Sequence, residues 1–277
     1  SALTVAVPGG STSAFREPRT PELNASEKSA APVGAETEPE GRPLAIDPRL
    51  EVELIAAVCG RFGRVHVPGV LENTSALGIY EALNASLPWQ MHYNDGEQVF
   101  DIPAGQFDAL PADERGALLR GIYLRARLGF QYLYDSFAIS DHYERGEHMD
   151  LALMHVFEFL KSEPVLEFAR RATGVREIRS VDAQATRYRS GHFLTAHDDR
   201  DEVKGRVAAY VLNLTPGWRT DWGGILQFVD QGGHVAEGYM PVFNALNLFR
   251  VPMLHAVSLV APFAGGSRLS ITGWFRR

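Results

Sequence analysis

The sequence predicts an α+β chain, mainly β in its second half: helices first, then a double-sheet jelly roll or barrel, behind a flexible N-terminal tail. Three observations predict it. Between residues 46 and 175, several segments carry apolar residues at helical spacing. After Val175 the texture changes to short segments separated by Gly and Pro, at 177–189, 193–197, 206–214, 224–229, 241–250, 254–260 and 268–275, the spacing of a sandwich or barrel. Residues 1–45 are rich in Pro, Ala, Gly, Ser, Thr and Glu with little periodic hydrophobicity, too little apolar surface to offset the entropy of ordering. The expected organisation is therefore a disordered or extended tail (1–45) and one domain (46–277), with a helical part at 46–175 and a β core at 176–277.

In order, Pro48–Phe62 reads as a helix behind an Asp47 cap and an early proline. Gly63–Leu71 reads as a short strand and turn, and Asn73–Leu87 as a helix started by an Asn-Thr-Ser cluster. Trp89–Ile102 alternates as one or two strands around a hairpin turn at Asn94–Glu97. Pro111–Arg125 is an expected helix, and the aromatic-rich segment Phe130–Phe137 reads as core sooner than as a site lining. Between 140 and 155, His142, Glu144, Glu147, His148, Asp150 and His155 have the composition of a metal site, but no period places three on one face, so a charged, mobile loop is expected. Leu151–Ala172 reads as two helices broken at Pro164.

With 277 residues, 45% of them hydrophobic, the chain can bury one substantial core. A net charge of −7 argues against a general nucleic-acid binder, so no direct DNA binding is expected. The lone cysteine, Cys59, excludes an intrachain disulfide and any cysteine-rich metal cluster, and fits a reducing compartment such as the cytoplasm. No apolar run approaches the ~20 residues that span a bilayer, and the opening Ser-Ala-Leu-Thr-Val-Ala-Val makes a poor signal peptide, so no membrane partner is expected.

The chemistry gathers in Tyr188–Asp199 and two distant residues. On an extended strand His197 and Asp199, two apart, would share a face, while Asp198 and His192 would point to the other. His255, in the apolar segment 247–260, is the best-placed third ligand, and His234 beside Gly232 and Gly233 reads as a hairpin tip. Two histidines and a carboxylate leave coordination positions open, as in non-haem iron(II) oxygenases. In the last strand Arg268, Ser270, Thr272 and Trp274 alternate with Leu269, Ile271, Gly273 and Phe275, putting a guanidinium and a hydroxyl on a face that can grip a carboxylate.

The order His-x-Asp, His, Arg-x-Ser resembles the 2-oxoglutarate- and iron(II)-dependent oxygenases. Gly205-Arg206, Leu212, Pro216, Trp218, Gly223-Gly224 and Arg268–Phe275 narrow the resemblance, in detail over about 180–277, to the ribosomal prolyl hydroxylase branch. It implies a double-stranded β-helix with helices packed on one sheet. It also implies iron(II) on His197, Asp199 and His255, 2-oxoglutarate held through Arg268 and Ser270, O2 as co-substrate, and ascorbate as an auxiliary. Tyr188 matches a Tyr-x-x-Gly element whose tyrosine faces the co-substrate, and Asn213 stands where relatives often carry a tyrosine. The implied reaction hydroxylates a prolyl residue of a protein, a ribosomal protein being the favoured partner, and releases succinate and CO2. The alternatives are a hydroxylase of free proline or another small molecule and, outside enzymes, a jelly-roll binding module. A nucleic-acid demethylase would carry a second arginine where this chain has Trp274, and a halogenase would lack Asp199.

Overall fold

In the computed structural model, which describes residues 44–277, the elements run as follows. The first half holds α1 (Val52–Phe62), β1 (Arg64–Pro68), α2 (Asn73–Asn84), β2 (Gln90–Asp95), β3 (Gln98–Pro103), α3 (Ala104–Asp108), α4 (Ala112–Ala126), β4 (Tyr132–Phe137), α5 (Ile139–Arg145), α6 (Ala152–Leu160) and α7 (Glu163–Thr173). The second half holds β5 (Ser180–Val181), β6 (Gln184–Tyr188), β7 (Phe193–His197), β8 (Arg206–Asn213), β9 (Leu226–Val229), β10 (Val235–Tyr239), β11 (Ala245–Arg250), β12 (His255–Val257) and β13 (Arg268–Arg276). The tail expected over residues 1–45 lies outside the described residues but for its last two.

The strands follow one hydrogen-bonded path, β1-β11-β8-β13-β6-β4-β7-β12-β9-β10, with the β2–β3 hairpin branching from β4 and β5 from β13. Each adjacent pair is antiparallel, and the path rolls onto itself: Phe228 of β9 meets Phe249 of β11 with ring centroids 5.2 Å apart. The result is the jelly roll, or double-stranded β-helix. Alternation along β13 divides the layers. Leu269, Ile271 and Phe275 enter the core shared with α1, α2, α6 and α7, whereas Arg268, Thr272 and Trp274 line the interior of the roll. No helix among the described residues is long and apolar enough to cross a membrane.

The departures from expectation have local causes. Asp47 caps no helix. Its carboxylate accepts the Arg49 backbone N–H at 2.9 Å and the Arg49 guanidinium, closing a turn that delays α1 to Val52. Residues 139–145 form a two-turn helix where a mobile loop is expected; buried Ile139 anchors α5 and Gly146, in a left-handed conformation, ends it. In that stretch His142 stacks on Phe137 and bonds Glu147, and no three of its ionisable groups converge as metal ligands. The break between α6 and α7 falls at Lys161–Ser162, with Pro164 in the first turn of the second helix, where its missing N–H is no loss. Strand β10 is absent from the sequence reading, which passes over 235–239 because that stretch is largely exposed and carries no apolar alternation.

Candidate active site

Two cross-strand registers build the site. The pairing of β12 with β7 sets His255 directly opposite His197, with ring centroids 4.2 Å apart. Asp199 reaches the same point by a different route from strand alternation. Strand β7 ends at His197, and Asp199 takes a left-handed backbone (φ 61°) that swings its carboxylate back toward both rings. Its Oδ1 lies 3.3 Å from His197 Nε2 and its Oδ2 3.4 Å from His255 Nε2. Asp198, by contrast, is half-buried, stays out of the cluster and accepts the Arg200 backbone N–H.

The imidazole tautomers follow from their second nitrogens. His197 Nδ1 sits 3.0 Å from the Thr195 carbonyl and His255 Nδ1 2.7 Å from the Met253 carbonyl. A carbonyl only accepts, so each Nδ1 carries the hydrogen and each Nε2 turns a lone pair toward Asp199. Burial, reinforced by the neighbouring His197, pulls the His255 pKa down and keeps the ring neutral. Burial alone would raise the Asp199 carboxyl, but its contacts with the two imidazoles outweigh it and hold the group below its usual range. Two neutral nitrogen donors and one carboxylate, all within 4.8 Å of one another, form the one such cluster among the described residues.

Arg268 is the second feature. It opens β13 opposite Tyr188 of β6, is 1% exposed, and holds its guanidinium 5.1 Å from the Tyr188 ring centroid. Its Nη2 donates to Asn213 Oδ1 at 3.4 Å, while Nε and Nη1 have no partner. Burial lowers its pKa. A buried guanidinium with two unmatched donors is costly unless an anion joins it. The Asn213 amide lies behind the arginine, donating its other end to the Ala245 carbonyl, and Ser270 Oγ pairs with Thr186 Oγ1 at 2.9 Å. Gly224 packs against the same side chain, where a Cβ would lie 3.4 Å from Arg268 Cδ.

His197, Asp199, His255, Arg268 and Tyr188 line one cavity of about 570 Å³. Its far wall is aromatic. Tyr132 and Tyr134, two apart on β4, face it with Phe130, whose ring lies 5.6 Å from that of His197. Tyr134 stacks on Tyr188 at 5.3 Å. The segment read as core is thus divided: Leu133 and Phe137 are core, and the alternate residues line the cavity. The alternation Phe130-x-Tyr132-x-Tyr134 was the available signal. Of the arginines flanking the first ligands, Arg187 and Arg189 both grip the fully buried Asp135 at 2.8 Å and do not line the cavity.

The sequence model of the 2OG-Fe(II) oxygenase superfamily matches residues 183–276. The match spans β6 to β13 of this chain. The chain's fold is similar to that of a 2OG-Fe(II) oxygenase family oxidoreductase from Burkholderia pseudomallei (TM-score 0.52, 15% identity, covering 82% of this chain and 92% of that one). It is similar also to a Trichoplax adhaerens prolyl hydroxylase solved with a hypoxia-inducible-factor peptide fragment (TM-score 0.53, 14% identity, 81% and 88%). In sequence the chain is 32% identical over 150 residues to prolyl 3-hydroxylase OGFOD1 of Xenopus laevis, covering 52% of this chain and 28% of that protein. To the Mus musculus protein of the same name it is 34% identical over 112 residues, covering 38% and 20%. The chain thus spans only a fifth to just over a quarter of the length of these curated relatives.

The residues of this cavity fit the groups that the matching family's name implies. The neutral Nε2 lone pairs and the ionised Asp199 suit a divalent iron ion, and the orphaned donors of Arg268 suit a carboxylate.

His192 takes no part in this cluster. It is 4% exposed, and burial with the nearby Arg189 charge pulls its pKa down to about 3. The unfolded chain protonates this imidazole first, so its contribution to stability is full above the ordinary value of 6.5 and is lost as pH falls from there toward about 3. Unfolding free energies from denaturant titrations through that window should fall more steeply for the native chain than for His192→Gln, by up to about 1.4 kcal/mol per pH unit. Equal slopes would show that the ring charges freely in the fold.

Proposed function

We propose that the chain, with residues 46–277 as its catalytic unit, is a 2-oxoglutarate-dependent dioxygenase that hydroxylates a prolyl residue of a protein. The observation that carries this reading is a buried guanidinium with two unmatched donors in the same cavity as a two-histidine, one-carboxylate cluster. His197, Asp199 and His255 would hold iron(II), and Arg268 the far carboxylate of 2-oxoglutarate. Together with O2, the bound pair supplies the oxidising chemistry that places a hydroxyl on a C–H carbon and yields succinate and CO2.

The chain's own residues orient and exclude. The Thr195 and Met253 carbonyls fix the imidazole tautomers, and Asn213 and Tyr188 aim the Arg268 guanidinium. Ser270 supports this strand through Thr186. The phenols of Tyr132 and Tyr134 stay protonated, with burial pushing Tyr132 up to about 12, so the wall offers a neutral aromatic face for a pyrrolidine ring and keeps water from the reacting carbon.

A protein substrate is favoured over free proline by the rim. Val99, Phe130 and Val203 stand 53%, 50% and 99% exposed on the β3, pre-β4 and post-β7 segments, the first two lining the cavity, and such apolar exposure suits a docking partner. The naming of the relatives as prolyl 3-hydroxylases suggests carbon 3 as the position. A net charge of −7 suits a strongly basic partner, and a ribosomal protein in the cytoplasm is our choice.

Incubation with iron(II), 2-oxoglutarate and either free proline or proline-containing ribosomal peptides tests the reading. Mass spectrometry should show one added oxygen on a peptide proline, with matching succinate. Exclusive turnover of free proline would overturn it.

A further inference from the structure

The metal cavity does not end at its aromatic wall. His92, Tyr134, Gln184, Lys204, Arg206 and Trp274 line both it and a second cavity of about 530 Å³, so the two form one groove leading away from the metal cluster. Charges along this groove are matched almost throughout. Arg276 pairs with Asp182, His92 with Asp101, Arg145 with Asp141 and Glu147, and Arg200 with Asp198. Besides Arg268, Lys204 and Arg206 are the exceptions: among the described residues neither makes an ion pair. The nearby Asp201 accepts the Lys204 backbone N–H at 3.0 Å and feels both cations without contacting either side chain.

Arg206 is also held in place. Its guanidinium carbon lies 3.6 Å from the Trp274 ring centroid, and its buried Nε has no hydrogen-bond partner. A stacked, preoriented guanidinium with an unmatched donor, beside an exposed ammonium, is suited to a carboxylate. We propose that Lys204 and Arg206 form a recognition subsite for a carboxylate on the substrate peptide, an Asp or Glu side chain or a chain terminus close to the target proline. This rests on the protein-hydroxylase reading and adds a sequence preference to it. An acidic residue beside the target is compatible with a basic partner overall, because long-range steering acts on net charge while a groove reads one side chain.

The test uses the full chain and fluorescein-labelled peptides with one central proline in an alanine background: neutral, Glu-flanked, Lys-flanked, and neutral with a free carboxyl terminus near the proline. Binding is read by anisotropy and turnover by succinate release. A carboxylate-bearing peptide should bind about tenfold or more tightly than the neutral one, the scale of one charge-assisted hydrogen bond, and the Glu and free-terminus arms tell the two sources apart. Lys204→Gln, at an exposed position that leaves packing untouched, and Arg206→Gln should each erase most of that preference, with circular dichroism verifying the fold. Equal binding of Glu-flanked, neutral and Lys-flanked peptides that are all hydroxylated would overturn the subsite and leave the prolyl hydroxylase reading standing. A preference for carboxylate that survives both substitutions would place the subsite elsewhere and equally overturn the assignment. Turnover of free proline with no peptide bound would end both.

Discussion

Replacement of Asp199 by alanine is expected to abolish hydroxylation and to lower iron(II) affinity by more than about a hundredfold, since even the outer partners of metal ligands contribute about 10- to 100-fold. Asp199 supplies the only anion of the cluster, with one oxygen facing each imidazole. Without it the two neutral rings, 4.2 Å apart, offer a dication no charge compensation. Thermal unfolding with and without iron(II) reads this directly. The native chain should melt higher with metal, as a ligand that binds only the folded state requires, and the variant should not respond. An unchanged metal-dependent shift would remove Asp199 from the ligand set.

Arg268→Met should leave iron(II) binding nearly intact and weaken 2-oxoglutarate binding by about two to four orders of magnitude, the equivalent of the ~3–5 kcal/mol associated with breaking a buried charged pair. The same substitution should not lower the melting temperature of the ligand-free chain, because the guanidinium it removes is fully buried with two unmatched donors and is a burden on the empty fold. A residue kept for packing would show the reverse pattern, with lost stability and unaltered co-substrate affinity.

Much of this site is legible in the sequence, for identifiable reasons. Arg268 sits on a regular strand, so alternation alone places it on the interior face and Leu269, Ile271 and Phe275 on the helix-facing side. The two histidines come together through strand register, which no local pattern encodes; their order along the chain and the family resemblance connect them. Asp199 is selected over Asp198 in both readings, but for different reasons, because a left-handed turn and not an extended strand aims it. The aromatic wall on β4 escapes because Tyr132 and Tyr134 look like core residues until the roll closes and shows which face of that strand is hollow. Helix α5 escapes because one buried isoleucine and a C-terminal glycine hold two turns whose other residues are mostly polar. Strand β10 carries little apolar signal, since it lies at one end of the strand path and pairs on one side.

Iron(II) and 2-oxoglutarate are expected to occupy one cavity together. Anaerobic titration of the chain with 2-oxoglutarate, with and without iron(II), tests that most directly. Tight binding that requires the metal and is lost in both Asp199→Ala and Arg268→Met is the predicted result. Equal affinity with and without iron(II), or binding that survives loss of Arg268, would contradict it.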